Sequence, residues 1–235
     1  MTQPLQGRRI LLTGASRGIG SETAKVLLQA GARVIGVGRD PERLQRTSEA
    51  LGKLGDFYPV VSDLSVPGFG EQLVRAVDQH FGGTLDVLFN NAGVMLAHQG
   101  IEHEPDATLE RTLQTNVLAV QEATRALLPA LLRGHEPRII NTSSGAGNFA
   151  SVAQNEIGSY RVSKFALNGL TLSWAEALKG RVAVNAFDPG WVKTDLGGPA
   201  APGSVQDSAR GALLLLLLPF AATGAFWKDG ERIDW

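Results

Sequence analysis

The sequence predicts an α/β protein, a doubly wound parallel sheet of Rossmann type with helices on both faces, formed as a single domain over residues 1–235. Three observations carry this. Short apolar runs rich in β-branched residues alternate with longer stretches of helical period, the order that builds a parallel sheet. The runs ILL, VIGV and VLF are nearly continuous in apolar residues, as strands covered on both faces are. The first run leads directly into a glycine-rich turn, TGASRGIG from Thr13 to Gly20, which opens a helix.

In chain order, strands are expected at Arg9 to Thr13, Arg33 to Val37, Phe57 to Val61, Leu85 to Phe89, Arg138 to Asn141 and Arg181 to Phe187, with a seventh near Ala225 to Trp227. Helices are expected at Gly18 to Ala30, Pro41 to Leu51, Phe69 to Phe81, Asp106 to Leu132, Tyr160 to Lys179 and Val205 to Leu218. The run Ala212 to Leu218 is the most apolar segment, but Pro219 interrupts it far short of a membrane span. It reads as a buried or subunit-contacting helix. The Pro- and Gly-rich stretches at Ala92 to Pro105 and Gly190 to Gly203 follow strands, on the carboxyl edge where ligands bind in open α/β sheets.

With 43% hydrophobic residues the chain can bury a full core. A net charge of -1 with scattered basic residues gives no electrostatic footprint for nucleic acid or a membrane surface. The absence of cysteine rules out disulfides, thiol catalysis and thiolate metal sites. The stretch MTQPLQGRRILLTGA lacks the apolar segment and small-residue cleavage site of a signal peptide, so a cytoplasmic location is expected. Small molecules are the expected partners, together with a second copy: the apolar excess of the later helices predicts a homo-oligomer, a dimer or tetramer.

Tyr160 and Lys164, in SYRVSKFAL, lie four residues apart. On a helix these positions share a face, which sets the lysine's charge beside a phenol whose ordinary pKa is about 10. A neighbouring cation favours phenolate. The expectation is a tyrosine that exchanges protons near neutral pH, as carbonyl reduction or alcohol oxidation requires. In the glycine turn, Gly14, Ser16, Arg17, Gly18, Ile19 and Gly20 lie between strand and helix, where the backbone approaches a pyrophosphate and the helix N-terminus supplies amides for it.

With these motifs in place the chain resembles the short-chain dehydrogenase/reductase family. Thr13 to Gly20 meets its TGxxxGxG pattern, followed in order by Asp63 and Leu64, NNAG at Asn90 to Gly93, the helical Asn116, the pair Ser143 and Ser144, YxxxK, and PGWVKTDLGG from Pro189. The resemblance implies a Tyr160 proton donor, a Ser144 that holds the substrate oxygen, a Lys164 that lowers the phenol pKa and binds the nicotinamide ribose, and an Asn116 that holds a water in a proton relay. It implies cofactor contacts from Asp63, Leu64, Asn90, Ala92 and Gly93, and from Pro189, Gly190, Val192 and Thr194 around the nicotinamide carboxamide. No metal is needed, although His98, His103, Glu102 and Glu104 lie close in sequence. Ser144 stands sixteen residues before Tyr160, so the loop Gly145 to Ser159 is longer than the commonest family spacing. Ser143 stands as the alternative functional serine, and Gly147, three places on, favours Ser144. The long loop, GWVKTDLGG and the ending FWKDGERIDW resemble the carbonyl-reductase-like branch with C-factor-type and sniffer-type members more closely than the fatty-acid ketoreductases.

NADP(H) is the expected cofactor. An NAD site ends its second strand with an acidic residue for the ribose 2′-OH; here Gly38 stands there, followed by Arg39, with Arg17 in the turn to join it on a 2′-phosphate. Asp40 is the alternative 2′-OH acceptor, although Asp40-Pro41 also reads as a helix N-cap. Two functions follow: a carbonyl reductase, or an NADP(H)-sensing Rossmann protein without turnover.

Overall fold

The structure, a computed structural model, describes residues 3–235. Its strands are β1 (Arg9–Thr13), β2 (Arg33–Gly38), β3 (Phe57–Val61), β4 (Val87–Asn90), β5 (Arg138–Thr142), β6 (Ala183–Phe187), β7 (Phe226–Lys228) and β8 (Glu231–Ile233). Its helices are α1 (Gly18–Gln29), α2 (Pro41–Leu51), α3 (Phe69–Phe81), α4 (Thr108–Leu113), α5 (Ala119–Leu131), α6 (Gly158–Ala177) and α7 (Val205–Leu217). They build one eight-stranded sheet in the order β3-β2-β1-β4-β5-β6-β7-β8, parallel except for β8. The order reverses between β1 and β4, which opens a crevice at their carboxyl ends.

The period-2 alternation of the strands divides the core between the two faces. Ile10, Leu12, Val34, Val87 and Phe89 join α1, α2 and α7 on one side, while Leu11, Ile35, Val37 and Leu88 join α3, α5 and α6 on the other. Asp40 caps α2, its carboxylate accepting from the Arg43 amide at 3.0 Å, with Pro41 as the first helical residue. Two buried amides tie β4 to β5 and to α6: Asn90 Nδ2 donates to Asn141 Oδ1 at 2.9 Å, and Asn141 Nδ2 to Thr171 Oγ1 at 2.9 Å.

The structure corrects several element boundaries. The long helix expected at Asp106 to Leu132 is three pieces, α4, a π-helical turn at Gln114–Leu118, and α5. The π turn inserts a residue at Asn116, and an apolar pattern that runs through it conceals the break. The fourth strand begins at Val87 because Asp86 turns its carboxylate to the Arg9 and His135 amides and the Arg9 guanidinium. The sixth strand begins at Ala183 rather than Arg181, and the helix that carries Tyr160 begins at Gly158 and ends at Ala177. An eighth strand, absent from the sequence reading, pairs antiparallel with β7 across Asp229 and Gly230, whose φ values of 51° and 84° are both in the left-handed region. That Asp-Gly pair is a hairpin signal present in the sequence. In α7, Ala212, Leu215 and Leu216 are buried while Leu214 and Leu217 face outward.

Candidate active site

The glycine turn is built for close approach. Thr13 Oγ1 accepts from the Asn91 and Ala92 amides, each at 3.0 Å, which locks the end of β1 to the turn after β4. Gly14 has φ 70°, and a Cβ there would lie 2.9 Å from Ala92 Cα. A Cβ on Gly20 would lie 2.0 Å from the Gly14 carbonyl oxygen, so only glycine lets α1 nest into its own entry turn. Arg17, at the N-cap of α1, makes no side-chain cap bond, and the first turn of the helix holds no acidic residue. Its leading amides and positive dipole are thus left for an anion.

A cleft of about 1210 Å³ runs from this turn to Tyr160. Single drug-sized ligands occupy about 300–1,000 Å³, so the space suits a dinucleotide with a substrate beside it. Every residue expected at the cofactor lines the cleft except Asn90, whose side chain is committed inside the sheet to Asn141. Its neighbour Asn91, which the sequence reading did not single out, bonds the Thr13 carbonyl through Nδ2 at 3.0 Å.

Toward the β2 and β3 end of the cleft, Asp63 Oδ1 accepts from the Ser65 amide at 2.9 Å and its hydroxyl at 2.7 Å, and these bonds hold the carboxyl below its usual range. Arg39 is exposed and lines the cleft. Arg17 pairs with Asp195, and Arg43, also missed in the sequence, approaches the same carboxylate at 3.7 Å. Asp40 is engaged by α2 and by the Arg43 side chain at 3.1 Å.

At the other end, β5 and α6 bring the serine pair, Tyr160 and Lys164 together. The two serines part company here. Ser143, fully buried, turns its hydroxyl to Asn168 and the Lys164 carbonyl, fastening β5 to α6. Ser144 accepts from the Ala146 amide at 3.1 Å and lines the cleft with Tyr160. Gly147 explains its place in the pattern: a Cβ there would lie 2.5 Å from the Lys164 carbonyl carbon, where the loop crosses α6.

The Lys164 ammonium donates to the Thr142 carbonyl at 2.7 Å and stands 5.5 Å from the centre of the Tyr160 ring. Burial pushes the phenol up to about 12; the Ser144 hydroxyl opposes the rise and the Asp188 carboxylate adds to it. Burial likewise brings the Lys164 ammonium down to about 8, against the pull of Asp188. Burial is the largest influence on both groups.

Asn116 sits in the π turn and does not line the cleft. Its Oδ1 accepts from the Val94 amide at 2.8 Å, and its Nδ2 donates to the Val94 carbonyl at 2.9 Å and to Ser163 Oγ at 3.0 Å. Between it and Lys164 lies Gly93, where a Cβ would come within 3.4 Å of Asn116 Oδ1 and 3.5 Å of Lys164 Nζ. Glu102 and Glu104 make loop bonds, to Asn155 and to Ser159.

A parallel sheet with a glycine-rich turn at its switch point, and a Ser, Tyr and Lys group at the far end of one cleft, defines a dinucleotide-dependent oxidoreductase. Comparison with known proteins narrows this. Residues 8–203 match the short chain dehydrogenase family, and the chain belongs to it. It is 37% identical over 191 residues, 79% of this chain and 73% of the other, to the rhamnolipids biosynthesis 3-oxoacyl-[acyl-carrier-protein] reductase of Pseudomonas aeruginosa. Among solved structures, the NADPH-bound carbonyl reductase from chicken fatty liver superposes with a TM-score of 0.90 at 30% identity, over 98% of this chain and 100% of that one. The carbonyl reductase Sniffer of D. melanogaster gives 0.86 at 27%, over 98% and 100%. The likeness to the carbonyl-reductase branch therefore extends over the whole fold. No helix among the described residues is long and apolar enough to cross a membrane.

Proposed function

We propose that the protein is an NADP(H)-dependent carbonyl reductase, acting on small ketones, aldehydes or quinones, with Tyr160 as proton donor. The observation that carries this is the grouping of Ser144, Tyr160 and Lys164 at the end of a cleft whose other end is a glycine cradle. NADPH supplies hydride to the carbonyl carbon. The chain's residues do the rest. The α1 amides and the close-packed glycines receive the pyrophosphate, and Arg17 and Arg39 take the 2′-phosphate, Arg17 exchanging Asp195 for it. Ser144 and Tyr160 hold the substrate oxygen from two sides, and Tyr160 delivers its proton as negative charge develops there. Lys164, fixed by the Thr142 carbonyl, lies next to the phenol to restore that proton, and the space kept by Gly93 between Asn116 and Lys164 suits a water on the path. Asn116 itself steadies Val94 and, through Ser163, the helix carrying Tyr160.

A panel of activated ketones, aldehydes and quinones, followed by NADPH absorbance, tests the reading. Turnover of at least one class is expected. NADPH binding without turnover of any would favour a cofactor-sensing protein instead. We also propose assembly into a dimer or tetramer through helix faces, where Leu118, Phe165 and Leu172 and, on α7, Leu214 and Leu217 are exposed. Light scattering at micromolar concentration decides it, and a monomer mass overturns it.

A further inference from the structure

From Asn148 to Ile157 the chain runs through turns and bends, without strand or helix, with most side chains exposed. A segment of this kind has little apolar contact to hold it. Here it is gathered onto one side chain. Arg161, directly after Tyr160 in α6, is 8% exposed. Its Nε donates to the Glu156 carbonyl at 2.8 Å, Nη1 to the Ser151 carbonyl at 3.1 Å and the Ala146 carbonyl at 3.5 Å, and Nη2 to Gln154 Oε1 at 2.9 Å. All four acceptors are uncharged, three in this segment and Ala146 in the turn just before it, and all four residues line the cleft beside Tyr160. A buried guanidinium ordinarily meets a carboxylate. This one uses its rigid fork to bind a loop at four points, which a lysine's single point of charge cannot reproduce.

We propose that Arg161 is a positioning residue that fixes the substrate wall of the cleft and thereby selects which carbonyl compounds reach Tyr160, an inference that rests on the carbonyl-reductase reading. The length of the loop then has a purpose: its extra chain wraps the guanidinium. The wall is braced at two further points. The Phe149 amide donates to the Trp235 carbonyl at 3.3 Å, and Asn155 Nδ2 donates to Glu102 Oε1 at 3.0 Å. Loss of Arg161 therefore loosens the wall between fixed points rather than releasing it. Substrates large enough to lean on the wall should feel the loss, and a short aldehyde held only by Ser144 and Tyr160 should feel it far less.

The test compares wild type with Arg161→Met, which keeps the stem and removes the donors, Arg161→Lys, and Gln154→Ala, which removes one acceptor from an exposed position. Steady-state constants are measured with a bulky aromatic ketone and a short aliphatic aldehyde, NADPH Kd by fluorescence, and hydrogen exchange over residues 148–157. For Arg161→Met we expect KM for the ketone to rise about tenfold or more, kcat for the aldehyde to change little, NADPH Kd to hold, and exchange in the segment to accelerate. Arg161→Lys should recover part of this, and Gln154→Ala should show the same pattern more weakly. Equal losses for both substrates, a matching loss of NADPH affinity, or unaltered exchange overturns the proposal. Should Arg161→Met fail to fold, Gln154→Ala decides by the same criteria. Should no carbonyl be turned over by any form, the functional reading fails, while exchange still reports whether Arg161 orders the segment.

Discussion

At the adenosine end of the cleft the chain works with backbone: glycines that admit no Cβ, amides left uncapped at α1, and a threonine that bonds two amides of the next turn. At the substrate end it works with side chains that hold loops, Arg161 the segment before it, Glu102 bonded to Asn155, Glu104 to the Ser159 amide. The first end faces a ligand of fixed chemistry, and backbone geometry forms the cradle at its glycine turn. The second must be shaped to a particular substrate, and side chains can be exchanged without disturbing the sheet. Tyr160 stands where the two meet.

That division has consequences that kinetics can separate. The largest effect falls at the junction. Tyr160→Phe keeps the ring and removes the proton donor, so kcat should drop by about 10² to 10⁴, with NADPH affinity intact by fluorescence titration. A comparable loss of NADPH affinity would mean that the two ends are not distinct. Next comes the adenosine end. Hydrogen bonds to charged groups contribute roughly 1.5–3 kcal/mol, so Arg39→Ala should weaken NADPH binding by about one to two orders of magnitude and leave NADH binding and carbonyl KM alone. NADH preference in the wild type, or equal losses for both cofactors, would break the assignment.

A smaller effect probes the proton path. Gly93 lies outside the left-handed region, so Gly93→Ala tolerates its backbone while its methyl fills the space between Asn116 and Lys164. A kcat loss of order tenfold is expected, larger than any accompanying change in KM or NADPH Kd. Unchanged turnover would show that no proton travels that way.

The smallest effect is on stability. The folded Lys164 sits near 8 against 10.5 for the free side chain, so between those values the unfolded chain binds more protons and stability rises with pH. Tyr160 acts in the opposite sense above about 10, where the folded state keeps a proton that the unfolded chain loses, and stability falls. Melting temperatures of the ligand-free protein from pH 7.5 upward should therefore climb, then decline. Lys164→Met should flatten the climb, and an unchanged slope in that variant would remove Lys164 as its source.

The adenosine end was legible in the sequence because its signals are local. A strand, a glycine turn and a helix follow one another within a few residues, and every glycine there has a reason that a single turn supplies. Tyr160 and Lys164 were legible for the same reason, one helical turn apart. What the sequence concealed depends on partners far along the chain. Asn90 reads as part of a cofactor motif, but its amide pairs with Asn141 inside the sheet. Asn116 reads as a residue of a continuous helix, because a π turn leaves the apolar period intact. Ser143 and Ser144 part only when Asn168 takes the hydroxyl of Ser143. Arg161 carries no signal of its own, since nothing in YRVSK shows that a loop will close over it.

The two borders of the sheet bear on how copies of this chain can meet. At one border β3 carries Pro59 at its centre, which offers no N–H to a further strand. At the other, β8 is three residues long, with Glu231 and Arg232 exposed on it. Neither border can template an added strand, the route by which open sheets grow into fibrils. The sheet is sealed by proline on one flank and by brevity and charge on the other, so crowding or partial heating should drive copies together through their helices, as countable particles rather than as extending ribbons.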